Sequence, residues 1–287
     1  MTFRILKEEP VVSVIGAMHV VPEGVQEMAE WVRDRNPECM PDDYDPKNEL
    51  AWKTLWPHSL NRESIEGPEG WLSGNELLVE LAGRKCYNSF GLKAGKKTNA
   101  EYIANTQSGD VPHGSIMYHA KMSFFIGGIS RRVSHELIRH YVGADRTEEG
   151  SPSQESTRYV EHSGCYIAHP AILENEKERA EFERAMRVNY REYRLYIERR
   201  SDEFSVAHGK PPTGMDRKRI FESASPYLSH ACETSFIWTS NPIALAKMFK
   251  ERDNEAADLE YLRLARKWKK ICKKHWPNLF PQPWMQT

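Results

Sequence analysis

Hydrophobic and polar positions alternate between ordered and broken stretches along the chain. VVSVIGAMHVV, residues 11–21, is short and β-branched and reads as a strand, and PEGVQEMAEWVRDR behind it sets Val25, Met28 and Val32 at helical spacing. Periodicity then stops. From Asn36 to Gly74 the prolines Pro37, Pro41, Pro46, Pro57 and Pro68 stand among acidic and aromatic residues, which predicts a long irregular insertion with one helical turn around Glu49 to Trp56. Its tryptophans argue that it packs. Pattern resumes at ELLVELAGRKCYNS, a predicted helix, and after the polar GLKAGKKTNAEY a segment reads first apolar and then helical through Ile138.

The longest helical pattern covers 172–208, carries Tyr190, Tyr193 and Tyr196 at spacing three, and stops at His208-Gly209-Lys210-Pro211-Pro212. Three helices' worth of sequence follow. Asn241 as N-cap and Pro242 at the first helical position lead into IALAKMFKER. A last helix, about Ala256 to Trp276, turns Leu259, Leu262 and Ile271 toward a core and a basic face from Arg263 to Lys274 outward. Such a run is more often a solvated face than a phosphate-binding one.

Composition narrows the class. With 287 residues, 39% hydrophobic and 28% charged, the chain can bury a core of one large domain or two modest ones. Forty basic against forty-one acidic residues leave a net charge of -1, so global electrostatics favours neither a nucleic acid polymer nor a membrane surface. The first residues, MTFRILKEEPVVSVIG, are charged where a signal peptide needs an apolar core, and no apolar run is long enough to span a bilayer, which places the expected location in the cytoplasm. Five scattered cysteines without a C-x-x-C pair argue against a disulfide framework or a zinc ribbon.

Two motif-like strings fail on spacing and a third motif is absent. GLKAGKKT has three residues instead of four between its glycines and no Ser or Thr after Lys96, so it reads as a basic loop and not a P-loop. In HELIRH the histidines His135 and His140 are five apart, about 500° of helical rotation, so they diverge and predict no metal site. A G-x-G-x-x-G fingerprint is absent, so a flavin or nicotinamide would be held in a non-Rossmann manner.

Three stretches remain that concentrate polar groups in apolar surroundings. His113, Ser115 and His119 precede an apolar segment that ends in Arg139-His140 on a helix; Gln154, Ser156 and Arg158 fall in SPSQESTRY, a loop or strand entry whose amide, hydroxyls and guanidinium suit a phosphate or a pyrimidine edge; Arg252 stands near a helix end. Singly, each has a plainer reading. The histidines could be satisfied core residues, Arg252 a macrodipole-favoured helix end, and Arg139 and Arg158 partners of Glu155 or Glu161.

Jointly they resemble the flavin-dependent thymidylate synthase family, whose motif runs R-H-R, a spacer, then a Ser-x-Arg-Tyr ending, preceded by H-G-S-x-x-E-H and S-H-E/Q-L-x-R-H. This chain has His113-Gly114-Ser115, His119, Ile129-Ser130-Arg131, Ser134 to His140 as SHELIRH, and Ser153 to Val160 as SQESTRYV, with Glu233-Thr234, Thr239, Asn241, Arg252, Asp258 and Glu260 in order behind them. The resemblance covers roughly 75–175 and 214–265. It implies a single α+β domain over 1–287, a central mixed sheet flanked by helices, with insertions at about 22–74 and 144–150. It further implies FAD as cofactor, NADPH and methylenetetrahydrofolate as co-substrates, a pyrimidine nucleotide, most simply dUMP going to dTMP, and a homotetramer with shared active sites.

Residue by residue, the resemblance makes Arg252 the catalytic cation beside the pyrimidine and assigns Glu136, Arg139, Gln154, Glu155, Ser156 and Arg158 to the nucleotide. His113, Ser115, His119, Arg139, His140, Tyr141, Gln154, Asn241 and Lys247 fall to the cofactor. A charged hydrogen bond of the Arg252 kind is worth about 1.5–3 kcal/mol. Departures are concentrated in cations. Tyr141 stands for the third motif arginine, Tyr118 for a glutamate, Ser225 and Ile243 for two arginines and Ala256 for a histidine, with Lys247 and Arg146 the candidates to restore charge. Such losses also fit the same chemistry on UMP or another pyrimidine nucleotide, hydroxymethylation in place of methylation, or a non-catalytic flavin- or nucleotide-binding module.

Overall fold

The protein is described from a computed structural model covering residues 3–6, 9–18, 20–45, 70–108, 113–140 and 151–280. The predicted turn at Glu49 to Trp56, Tyr141, Arg146 and the 144–150 insertion lie outside the described residues.

The expected α+β class holds. Strands β1 (Arg4–Leu6), β2 (Val11–Ala17), β3 (Met122–Ser130), β4 (Ser151–Gln154), β5 (Cys165–Ile167) and β6 (Glu233–Ser240) form two sheets, a four-stranded one in the order β2-β3-β6-β4 and a parallel β1–β5 pair with Ile5 opposite Tyr166. The helices are α1 (Pro22–Arg35), α2 (Gly70–Tyr87), α3 (Asn99–Gln107), α4 (Arg131–Ile138), α5 (Pro170–Leu173), α6 (Glu176–His208), α7 (Gly214–Ala224), α8 (Pro242–Arg252) and α9 (Leu259–His275). Among the described residues, no helix is long and apolar enough to cross a membrane.

Several sequence boundaries move. Helix α2 starts at Gly70, inside the expected irregular stretch, because Gly74 costs a helix only about 1 kcal/mol and buried Leu77, Val79 and Leu81 outweigh it. The apolar stretch before the motif helix is strand β3, and ETSFIWTS, counted among helices, is strand β6: Phe236 and Trp238 are buried while Ile237 is exposed, the period of two that a strand requires. The 172–208 helix divides. Pro170 opens the short α5, and Asn175 caps α6 by accepting from the Lys177 and Glu178 amides at 3.0 and 3.3 Å. Its end is as read, with Gly209 left-handed at φ 68°. Leu259 is 40% exposed and not in the core, since a helix side chain leans toward the N-terminus and the first one projects past the packed turns.

The chain divides into two compact units, the first built from residues up to Ser13, Phe125–Trp238 and Arg252–Lys267, the second from the remainder. The first unit's core is aromatic. Tyr166, Tyr190 and Tyr193 pack with Ile197, Phe221 and Cys232, and burial drives the His162 imidazole down to about 4 and the Cys232 thiol up to about 12. In the second unit Ala29 and Val32 of α1 pack on Leu77, Leu81 and Phe90, and Phe124, Phe249, Trp268, Trp276 and Phe280 form a second aromatic group. There α2 closes on α3 at Gly83, where an added Cβ would fall 2.5 Å from the Tyr102 hydroxyl. The five cysteines are free, three of them buried.

Candidate active site

In the first unit, the motif helix α4 is capped by Ser130, whose Oγ accepts from the Val133 amide at 3.2 Å. That same Ser130 is held by Glu260, which accepts from its N–H at 2.8 Å and its hydroxyl at 2.9 Å. Positions 132, 136 and 140 follow at intervals of four and so recur on one side of the helix and its end. Arg132 donates to both Asp258 oxygens, at 2.5 and 2.9 Å, and to Glu260 at 2.9 Å. Burial works against the Asp258 carboxylate, yet the Arg132 hydrogen bonds and charge hold it below the usual aspartate value.

This row ends on Arg252, the last residue of α8. The Arg252 guanidinium lies 3.3 Å from the Glu136 carboxylate, donates from Nε to His140 Nε2 at 3.1 Å, and sits 5.0 Å over the Tyr261 ring. A ring nitrogen that accepts carries no proton, so His140 is neutral there with its proton on Nδ1. Arg252 is 19% exposed, leaving a fixed cation with a small open face. Arg139 and His140 lie just past the last turn of α4 and not on it, with Arg139 as the C-cap. His135 and His140 do diverge. His135 stacks toward His230 at 6.5 Å, whereas His140 meets Tyr261 at 6.2 Å.

The second stretch begins on β4. Gln154 turns its amide inward, donating to Ser134 Oγ at 2.9 Å and Thr234 Oγ1 at 3.1 Å, while the backbone of Glu155 accepts from Arg131 at 2.9 Å. The chain then turns at Ser156, whose Oγ accepts from the Arg158 amide at 3.2 Å and whose carbonyl accepts from Tyr159 and Val160. Arg158 is exposed and does find an acid, but on α7: its Nε donates to Glu222 at 2.6 Å, not to Glu155 or Glu161. Glu161 pairs instead with Arg194 and Arg217.

The second unit holds the other group. His113, Ser115 and His119 are exposed along a 3-10 turn, Gly114–His119, so neither histidine is a core residue. The Tyr87 hydroxyl lies 3.0 Å from the His113 ring. Asn241 is buried and caps α8 through the Ala244 amide at 3.0 Å, and Lys247 is half-buried one turn further on. Within the first unit the structure gathers Glu136, His140 and Arg252 closely and leaves Arg158 with its own partners. Sequence reasoning missed Arg132, Tyr261 and Glu222. The i, i+4, i+8 run of Arg132, Glu136 and His140 was the available signal for the first.

A family model described as thymidylate synthase complementing protein matches residues 71–278. The chain belongs to this family. Flavin-dependent thymidylate synthases of Mycobacterium marinum and Mycobacterium tuberculosis are 36% and 34% identical to it over 197 residues, 67% of this chain and 73% of each relative. The fold is also that of a solved UMP/dUMP methylase, PolB, from Streptomyces cacaoi bound with 5-Br UMP, at a TM-score of 0.57 and 14% identity over 97% of this chain and 95% of that one.

Membership of a flavin-dependent family implies FAD, and the donor set suits one. A flavin dinucleotide brings a pyrophosphate and a polar ring edge, and the second unit presents Ser115 and His119 on an exposed turn as hydrogen-bonding groups of that kind. In the first unit, taken by itself, Arg139 is exposed at a helix end, in no ion pair among the described residues.

Proposed function

We propose that the protein methylates C5 of a pyrimidine nucleotide, converting dUMP to dTMP with methylenetetrahydrofolate as carbon donor and NADPH as reductant. When bound, FAD supplies the relay of reducing equivalents from NADPH. The observation that carries the reading is the Arg252 assembly, a largely buried guanidinium fixed by Glu136 of the helix that bears the family motif, by His140 just past its end and by Tyr261 of α9. A cation held in place before substrate arrives needs no reorganisation as charge develops on the ring, which is the condition for electrostatic stabilisation of the transition state. His140 orients the guanidinium by accepting from it, and the Glu136 carboxylate orients it while offsetting part of its charge.

Ser156, Arg158 and Arg139 offer hydroxyl and guanidinium donors to the nucleotide, and His113, Ser115, His119, Asn241 and Lys247 to the cofactor. Tyr141 in place of an arginine suits stacking and cannot supply a fork of donors. The reading carries a homotetramer with shared active sites, supported by the exposure of His113, Ser115 and His119.

Ser225, where the family places an arginine, turns its hydroxyl back to the Glu222 carbonyl at 2.8 Å and offers the nucleotide no charge, a departure from the family pattern that makes UMP the second nucleotide to test. The deciding experiment incubates the protein with FAD, NADPH, methylenetetrahydrofolate and a mixture of dUMP, UMP, dCMP and CMP, and reads products by mass. Methylated dUMP is expected. A modified UMP or cytosine nucleotide instead makes the lost cations substrate determinants, and no product from any of the four, with flavin bound and reducible, overturns the proposal.

A further inference from the structure

Arg158 is matched to the nucleotide phosphate, yet it is already engaged. Its Nε donates to Glu222 Oε1 at 2.6 Å, and Lys218 Nζ lies 3.4 Å from the same oxygen. Both cations also approach the exposed Tyr159 ring, Arg158 at 6.0 Å and Lys218 at 5.2 Å, so all four side chains share one patch of the first unit. Arg158 is 55% exposed and Glu222 34%, so this patch is open to an incoming anion. Ser225, three residues beyond Glu222 on the same helix end, is committed to the Glu222 carbonyl. This patch therefore has no cation at 225 and has a carboxylate seated on Arg158.

We propose that Glu222 is an affinity-setting residue, an internal carboxylate that occupies Arg158 and that the phosphate dianion of an incoming nucleotide displaces. This rests on the reading that Arg158 meets the nucleotide phosphate. The chemistry is a competition for one guanidinium. A phosphate monoester near neutral pH carries close to two charges and three acceptor oxygens, against one charge and two oxygens for a carboxylate. A 5′-monophosphate wins the exchange, at reduced affinity, whereas an uncharged nucleoside leaves the Arg158–Glu222 pair intact. Glu222 thus raises the nucleotide concentration needed to fill the site and narrows the margin by which a nucleotide outbinds its nucleoside.

The test is calorimetric titration of the FAD-loaded full chain with dUMP, with UMP and with deoxyuridine. Glu222→Gln keeps the shape and removes the charge. It is expected to tighten both nucleotides about 2- to 5-fold, the scale of releasing an exposed ion pair, and to leave deoxyuridine unchanged. In an Arg158→Ala background the gain should vanish, since the competed group is gone. Unchanged or weaker nucleotide binding by Glu222→Gln, while Arg158→Ala alone weakens it, overturns the competition and leaves the phosphate placement standing. If Arg158→Ala alone changes nothing, the placement fails and the competition with it. A gain in affinity is not a result that misfolding produces, and equal melting temperatures check that the variants are folded.

Discussion

Two arginine–glutamate pairs share a 2.6 Å separation and nothing else. Arg84 and Glu80, one turn apart on α2, are 2% and 0% exposed; Arg158 and Glu222 are 55% and 34% exposed. The first pair is held by further protein groups: Arg84 also donates to the Ser89 and Ala94 carbonyls at 3.2 Å and lies 4.5 Å over the Tyr102 ring, and the second Glu80 oxygen accepts from Asn99 at 2.8 Å. Water competes for the second pair, so a ligand can too. Ion-pair distance alone therefore does not separate a structural arginine from a ligand-binding one, and burial does. Arg252, at 19% exposure with three fixed partners, lies between them as a preorganised cation that keeps one face open.

The sharpest way to break this comparison is to remove the acid from each pair. Glu80→Ala leaves the Arg84 charge buried without its partner, and the expected cost is about 3–5 kcal/mol of stability, read as a denaturant midpoint. Glu222→Ala is expected to leave the midpoint where it is. Equal shifts for the two would mean that burial is not what distinguishes them.

One turn before Glu80, Glu76 adds a pH dependence to the same buried layer. Burial pushes its carboxyl up to about 7, although it accepts from the Asn278 backbone N–H at 2.7 Å and its side chain at 3.2 Å. Because the folded-state value lies above the unfolded one near 4.5, the native state holds the proton more tightly. Its stabilising effect is full below about pH 4.5 and lost as the pH rises through 7, a difference of about 3 kcal/mol. Relative to Glu76→Gln, which cannot ionise, the parent protein should lose that much stability between pH 4 and pH 8. A stability difference between the two proteins that stays constant across this range would show that Glu76 titrates normally.

Next in size is Arg252→Ala. Loss of a charged hydrogen bond to the reacting ring is worth about 1.5–3 kcal/mol, or roughly 10- to 150-fold in kcat. Flavin content should not change, since Arg252 is assigned to the pyrimidine and is not itself among the residues assigned to the cofactor. Turnover at the parent rate would take Arg252 out of catalysis.

What could be read from sequence alone follows the range of each interaction. The α8 cap at Asn241, the α6 stop at Gly209 and the helical stripe of α1 are set by residues within a turn of one another, and all three were legible. Strand β6 was not, because eight residues with Phe236, Trp238 and Ile237 give too few periods to separate strand from helix without knowing which face is covered. The motif residues could be found by order and spacing. Their grips could not: Arg132 meets Asp258 across 126 residues, and Arg158 meets Glu222 across 64. The exchange of a predicted partner, Glu155 or Glu161, for Glu222 is of this kind, since any nearby acid satisfies a sequence argument and only packing chooses one.

The smallest effect should come from Ser156→Ala, and its direction separates two roles. In the free protein Ser156 Oγ accepts from the Arg158 amide, a turn hydrogen bond of the sort that contributes about 0.5–1.5 kcal/mol. If the hydroxyl also donates to the nucleotide phosphate, its loss removes a direct contact as well as the turn that aims Arg158, and dUMP affinity should fall several-fold with kcat little changed. Adding Arg158→Ala then distinguishes the contributions. A Ser156 that acts only by aiming Arg158 costs nothing more once Arg158 is gone, whereas a hydroxyl that touches phosphate keeps a penalty of its own. The exposed arginine is thus either placed by its turn or assisted by it, and the Arg84 pair, fixed on all sides by protein, has no counterpart to that choice.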